Sequence, residues 1–127
     1  MNMPDRLEKV IDWAKGVSFA VTLCDREGFI IYMNDKSKAT FAKHGDIIGN
    51  NLKACHSPRS WDIIRDLLSK GGSNTYTISK NGVKKIIHQT PWYETGNSLS
   101  DDGAGRIGGL VEISIVIPED TPHFNRE

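Results

Sequence analysis

The chain has 127 residues, the length of one ordinary domain, and can bury a core without disulfide crosslinks. Its composition, 38% hydrophobic and 25% charged, is typical of a globular protein. Its 16 Lys+Arg are balanced by 16 Asp+Glu, so the chain has no net positive charge to attract nucleic acids or anionic membranes. We therefore expect neither as a direct partner.

The N-terminal segment "MNMPDRLEKV" is charged where a signal peptide would be apolar, and no apolar run approaches the length of a membrane span. Residues 5–16 are predicted to form an amphipathic helix, which Gly16 can end. Trp13 falls just off its apolar stripe and is either a dimer anchor or a single exposed aromatic residue. The stripe consists of Leu7, Val10, Ile11 and Ala14.

Two strands follow, over residues 17–24 and 29–34. The first is rich in β-forming residues that alternate between two faces, and the second, "FIIYMN", runs back beside it. The intervening "DREG" predicts a short turn in which Gly28 takes a positive φ. The segment is therefore predicted to be a β-hairpin.

Helices are predicted next. Asn34 or Asp35 can cap a short helix through Ala42, and one helical turn is expected around Ile47 and Ile48. Ser57 followed by Pro58 indicates the start of a longer helix. Gly71 and Gly72 can end it, and its apolar face consists of Trp61, Ile64, Leu67 and Leu68.

The remaining pattern predicts three strands. "NTYTIS" and "VKKIIHQT" flank a favoured Asn81-Gly82 turn, residues 94–105 are predicted to be a loop, and residues 106–117 form the last strand. The fold class is thus α+β, a five-stranded antiparallel sheet with helices packed on one face and a small cavity between the layers. We divide the chain into an N-terminal helix (1–16), a domain (17–118) and a C-terminal tail (119–127).

Cys55 and His56 stand side by side just before the predicted helix start at Ser57. The N–H groups of that helix end favour a thiolate at Cys55 or an anionic ligand group. Arg59, in the first turn, could pair with a ligand carboxylate or stay solvated. A catalytic Cys-His pair is less favoured than a ligand contact or structural packing, because adjacent side chains usually point apart and no third orienting group is identified.

Two further residues are candidates for ligand binding. Trp61 is either a pocket wall or part of the core. His88 alternates with Ile86 and Thr90 along its strand, and either faces the cavity or is an exposed strand histidine. The histidines and cysteines lack the paired short spacings of a zinc site, so we expect no metal site, and the two cysteines favour free thiols in a reducing cytoplasm.

Three segments resemble those of PAS domains. "VTLCDREGFIIYMN" is similar to the first hairpin of that family, a strand ending in Asp, a turn with Gly and a strand ending in Asn. "DIIGNNL" resembles its Ile-Gly segment before the long helix, and "GGLVEISIVI" resembles its last strand. The likeness covers roughly residues 17–117, and "CHSPRS" and "HQTPWYE" look like a bacterial subgroup whose long helix opens after Cys-His-Pro-Pro or a similar sequence.

The resemblance implies a non-enzymatic sensory or protein-interaction module that holds a small ligand between sheet and helices. It also implies a homodimer through the N-terminal helix, acting alone or joined to a signalling output domain or partner. Asp25, Gly28, Asn34 and Gly49 would be structural signature positions, and Asn34 is also included among the ligand-binding candidates.

The ligand itself stays open, with an organic small molecule favoured. A flavin is disfavoured, because the family's flavin-binding members carry Asn-Cys-Arg closely after the Gly, whereas Cys55 lies six positions after Gly49. Haem-based members place their proximal His inside the long helix, which has none here, so haem would have to use His56 or His88. The remaining alternative is a small thiol-dependent redox sensor or enzyme that uses Cys55.

Overall fold

The structure, a computed structural model, describes residues 13–95 and 105–127. These residues form one antiparallel five-stranded sheet with helices on one face, which confirms the predicted α+β class. The strands are β1 (Ala20–Asp25), β2 (Ile30–Met33), β3 (Asn74–Lys80), β4 (Val83–Thr95) and β5 (Arg106–Val116), in the spatial order β2-β1-β5-β4-β3. The helices are α1 (Asp35–Thr40), a short 3-10 helix (Ala42–His44), α2 (Leu52–Cys55) and α3 (Pro58–Lys70).

Two predicted segments fall wholly or largely outside the described residues. The amphipathic helix over 5–16 is described only at residues 13–16, which form a turn. The predicted loop over 94–105 is described only at its ends, and there β4 continues to Thr95, so the strand is longer than predicted. Pro91 is compatible with this extension because β3 pairs with β4 only as far as Gln89, which leaves β4 with one neighbour at Pro91.

Both predicted hairpin turns are present. At the β1–β2 turn, Oδ1 of Asp25 accepts hydrogen bonds from the backbone N–H groups of Glu27 and Phe29, each at 3.0 Å, and Gly28 has a φ of 90°. At the β3–β4 turn, Asn81 and Gly82 have φ values of 53° and 78°. Positive φ at both central residues is the requirement of a type I′ turn, which explains the Asn-Gly sequence.

The long helix begins and ends where the sequence predicts. Ser57 Oγ accepts a hydrogen bond from the N–H of Ser60 at 3.2 Å, Pro58 occupies the first helical position, and Gly71 follows the last turn. Its apolar face packs on the sheet and forms the core. The core cluster consists of Cys24, Ile64, Leu67 and Leu110, with Leu52, Trp61 and Leu68 packed against it.

The prediction of a helical turn around Ile47 and Ile48 is wrong. The turn of helix lies further on, in α2, where the Asn51 side chain caps it by accepting the N–H of Lys53 at 2.9 Å. At Gly49 the φ of 94° breaks any helix, and its N–H instead donates to the carbonyl of Ile30 at 2.8 Å. The chain is thereby held against β2 before α2 begins.

Candidate functional site

A cavity of about 510 Å3 lies between the sheet and the chain that connects β2 to α3. Its sheet side is formed by β1, β2 and β5, and the connecting chain supplies the remaining walls. The lining is mostly apolar with a few polar side chains, the usual composition of a small-molecule pocket. The lining residues are Thr22, Ile30, Phe41, His44, Ile47, Asn50, Leu52, Ala54, Cys55, His56 and Glu112.

His56 is half-buried at the C-terminal end of α2 and lines this cavity. Its Nδ1 lies 2.9 Å from the carbonyl oxygen of Leu52. A carbonyl only accepts hydrogen bonds, so Nδ1 must carry a proton and donate it. In the neutral imidazole the other nitrogen, Nε2, then holds the free lone pair and acts as an acceptor.

Cys55 also lines the cavity but makes no hydrogen bond to its neighbour His56 in the part of the chain that the structure describes. Its exposed thiol instead lies 3.9 Å from the carbonyl oxygen of Asn51, within the same helical turn. The adjacent thiol and imidazole are therefore not arranged as a nucleophile and its base. Cys24 is the contrasting thiol, because burial in the core raises its pKa to about 11.

The sheet side of the cavity carries one carboxylate. Glu112 of β5 accepts a hydrogen bond at Oε1 from Nε2 of Gln89 on β4, at 2.9 Å. The Gln89 side-chain oxygen accepts in turn from Nδ2 of Asn74 on β3, at 3.0 Å. A line of hydrogen bonds thus crosses three strands and ends at the carboxylate.

The other sequence candidates lie elsewhere. Arg59 is exposed on the first turn of α3, and Trp61 packs over Gly28, where an added Cβ would lie 2.8 Å from the ring. His88 lies on the sheet face opposite the helices, with its Nδ1 2.7 Å from Thr75 Oγ1. None of these three lines the 510 Å3 cavity.

Asn34 is fully buried and does not line that cavity either. Its Oδ1 accepts the N–H groups of Val21 and Ser37, each at 2.9 Å. Its Nδ2 donates to the carbonyl oxygens of Ala14 at 2.8 Å and Phe19 at 2.9 Å. The amide is therefore fully used within the chain, and its role here is to join three segments.

The sequence candidates did not include Gln89 and Glu112. His88 was considered for the cavity, but β-strand side chains alternate, and it is the next residue, Gln89, that faces the helices. A signal for Glu112 was present in "LVEISIVI", where a charged residue interrupts the inward face of a central strand between Leu110 and Ser114. A charge at such a position needs an explanation in terms of a partner.

No group of three or more side chains suited to a metal ion occurs among the described residues. Within the same residues, no helix is long and apolar enough to cross a membrane.

Comparison with known proteins identifies the fold. No protein-family model matches the chain. No curated protein sequence matches it either. Solved structures of PAS domains do match: that of a PAS domain from Colwellia psychrerythraea has a TM-score of 0.60 at 20% identity, over 89% of this chain and 98% of that one. The chain therefore has the PAS fold, as its sequence resemblance implied.

Two further structures are similar to a comparable degree. The PAS domain of BvgS from Bordetella pertussis has a TM-score of 0.55 at 19% identity, over 91% of this chain and 89% of that one. A dual PAS-heme oxygen-sensing receptor from Vibrio cholerae has a TM-score of 0.53 at 12% identity, over 80% of this chain and 96% of that one. At these identities the likeness concerns the fold.

Proposed function

We propose that this chain is a non-enzymatic sensory module that holds a small organic molecule in its cavity. Binding of the molecule changes the conformation or packing of the N-terminal segment. The observation that carries the proposal is the cavity itself. Its volume of about 510 Å3 lies within the range of small-molecule sites, and its walls are mostly apolar with a few polar groups.

A continuous line of hydrogen bonds offers a route out of the cavity. Thr22 lines the cavity, and its Oγ1 lies 2.6 Å from the hydroxyl oxygen of Ser37, which is buried in α1. The backbone N–H of Ser37 donates to Asn34, and Asn34 donates to the carbonyl of Ala14. A ligand that displaces Thr22 would therefore act on the segment that leads to the N-terminal residues.

We further propose that this segment mediates a homodimer, and that the dimer or a joined output domain carries the signal onward. Trp13 supports the dimer proposal because its side chain is 58% exposed, an unusual state for a large aromatic residue. The exposed Trp13 ring lies 6.4 Å from that of Phe19, next to β1.

Amide hydrogen exchange tests the coupling. We compare the protein as purified with the same protein after unfolding, removal of small molecules and refolding. Loss of the ligand is expected to speed exchange in residues 5–16 as well as around the cavity. Unchanged exchange in residues 5–16, with altered exchange at the cavity, would refute the coupling.

Haem is a second candidate, favoured by one observation. The Nδ1–H of His56 donates to a backbone carbonyl, the arrangement by which proteins commonly orient a metal-binding histidine, and His56 lines the cavity while its Nε2 takes no part in that bond. His88, on the opposite sheet face, does not fit this role. Haem binding predicts a Soret band that His56→Ala removes and His88→Ala retains, and reconstitution without any such band would eliminate this candidate.

A further inference from the structure

The Glu112 carboxylate lies in the cavity wall, and no Lys or Arg within the described residues 13–95 and 105–127 forms an ion pair with it. The ion pairs within the described residues are Lys15–Asp35, Arg65–Asp62, Lys70–Asp66 and Arg106–Glu94. None of them includes Glu112, which is half-buried and receives its side-chain hydrogen bond from Gln89. A partly desolvated carboxylate is stabilised by further hydrogen-bond donors, and the cavity is where a donor can reach it.

The hydrogen bonds that lead to Glu112 have a fixed direction. A carboxylate only accepts, so Gln89 must turn its NH2 group toward Glu112 and its oxygen toward Asn74. Asn74 must then donate to that oxygen. The three residues hold the carboxylate in one orientation but leave it acceptor capacity beyond the single bond that Gln89 occupies.

A second acceptor lies near this carboxylate. His56 and Glu112 together line both the main cavity and a void of about 10 Å3 beneath it, beside the core residue Ile64. His56 donates through Nδ1 to Leu52, so the nitrogen it offers to a ligand in its neutral form is the acceptor Nε2. His56 and Glu112 are therefore two residues of the lining that can each accept a hydrogen bond from a ligand.

The charge of the lining agrees with this polarity. Among the described residues that line the cavity there is no Lys or Arg, and Glu112 is the acidic one. Arg59, which the sequence suggested as a partner for a ligand carboxylate, is exposed and does not line the cavity. The environment thus disfavours an anionic ligand, in contrast to the expectation from the helix start at Ser57.

We propose that the ligand is a small organic cation bearing N–H donors, an ammonium or amidinium group on an apolar body. The donors bind Glu112 and His56, and the apolar body packs against Ile30, Phe41 and Leu52. This inference rests on the proposed function, because it specifies the ligand of the same cavity.

The test uses two probes of similar shape and opposite charge, benzamidinium and benzoate, with benzyl alcohol as the neutral reference. Each is titrated into 15N-labelled protein at constant ionic strength, and binding is read from the amide signals of Thr22, Ile30 and Leu52. Benzamidinium is expected to bind at least about tenfold more tightly than benzoate. Glu112→Gln, which keeps the side-chain size, is expected to abolish that difference.

The matched control is Glu119→Gln, which removes the same charge from the exposed C-terminal segment and is expected to leave the difference intact. If benzoate or benzyl alcohol binds the cavity as tightly as benzamidinium, the donor-ligand inference is overturned while binding in the cavity stands. If no probe moves the cavity signals, both the inference and the proposed function are contradicted. If Glu112→Gln does not fold, the ratio of the affinities for benzamidinium and benzoate, measured on the unaltered protein, decides whether the inference holds.

Discussion

At the residue scale, Asn34 is the clearest example of a side chain whose role follows from its contacts. The sequence predicts Asn34 or Asp35 as the cap of a short helix, and in the structure it is Asn34 that caps α1. The structure adds bonds to Ala14, Phe19 and Val21 that no local pattern could indicate, because these partners are 20, 15 and 13 positions away. The cap was predictable from neighbouring residues, whereas the connection to the N-terminal segment was not.

Replacement of Asn34 is expected to destabilise the fold strongly. Asn34→Ala would leave the backbone groups of Val21, Ser37, Ala14 and Phe19 without their partner, and we expect a loss of at least about 2 kcal/mol in the free energy of unfolding. Denaturant unfolding measures this loss. Asn125→Ala, in the exposed C-terminal segment, is the control, and an equal small effect of both changes would contradict the proposed role of Asn34.

The two thiols are expected to react in a fixed order. Cys24 is 2% exposed, and burial raises its pKa from 9.0 to about 11. At pH values well below its pKa it therefore stays a protonated, inaccessible thiol. Alkylation of the folded protein near pH 8 is therefore expected to modify Cys55 alone, with Cys24 reacting only on unfolding. Peptide mass mapping identifies the modified residue, and early modification of Cys24 would contradict the packing of the core.

The same measurement tests the thiol-dependent alternative. That hypothesis requires Cys55 to react much faster than a free cysteine at the same pH. The exposed position of Cys55, without a hydrogen bond from His56, gives no reason for such a rate.

At the scale of elements, boundaries with strong local signals were predicted and those set by distant contacts were not. Ser57-Pro58 and Asn81-Gly82 determine their own backbone geometry, and both elements begin or turn at those residues. The position of α2 depends instead on the hydrogen bond between Gly49 and Ile30, which exists only once β2 and the following chain have come together.

The Trp92 side chain of β4 lies across β5, and this arrangement requires two glycines. Trp92 lies over Gly108 and Gly109, and its Nε1 donates to the carbonyl oxygen of Cys24 on β1 at 3.2 Å. A Cβ at Gly109 would clash with that carbonyl oxygen and lie 2.7 Å from Trp92 Nε1. The pair thus allows one aromatic side chain to tie β4 to β1 across β5.

Gly109→Ala is accordingly expected to lower the free energy of unfolding by about 1–3 kcal/mol, as overpacked sites usually do. Thermal or denaturant unfolding measures the change. Gly16→Ala is the matched control, because nothing lies within 4 Å of a Cβ at that position. If Gly109→Ala lowered the free energy of unfolding no more than Gly16→Ala does, the predicted overpacking at Gly109 would be contradicted.

At the scale of the whole molecule, the order of elements was sufficient to predict the fold. A hairpin, a helical connection and three further strands allow few ways to pair into one antiparallel sheet, and the observed order β2-β1-β5-β4-β3 is one of them. The polar groups of the cavity were harder to predict, because a shift of one residue in β4 exchanges His88 for Gln89. The sequence located the cavity between sheet and helices, and the structure identified the residues that face into it.

The proposed dimer predicts a response to one exposed side chain. Trp13→Ala is expected to weaken self-association at least about tenfold, because a central aromatic residue usually contributes strongly to an interface. Sedimentation equilibrium measures the association. Phe124→Ala, which removes another exposed aromatic residue from the C-terminal segment, is the control. A protein that is monomeric at all concentrations, or a dimer indifferent to Trp13, would contradict the proposal.

The central claim is that the cavity holds a small molecule, and native mass spectrometry of a blocked variant tests it most directly. Ala54→Trp places a large side chain at the wall of the cavity, on an exposed residue that the core does not need, and Ala39→Trp makes the same change on the exposed face of α1. We predict that a bound mass accompanies the freshly purified protein and Ala39→Trp but is absent from Ala54→Trp. An unaltered protein without any bound mass, or a bound mass that persists in Ala54→Trp, would contradict the account.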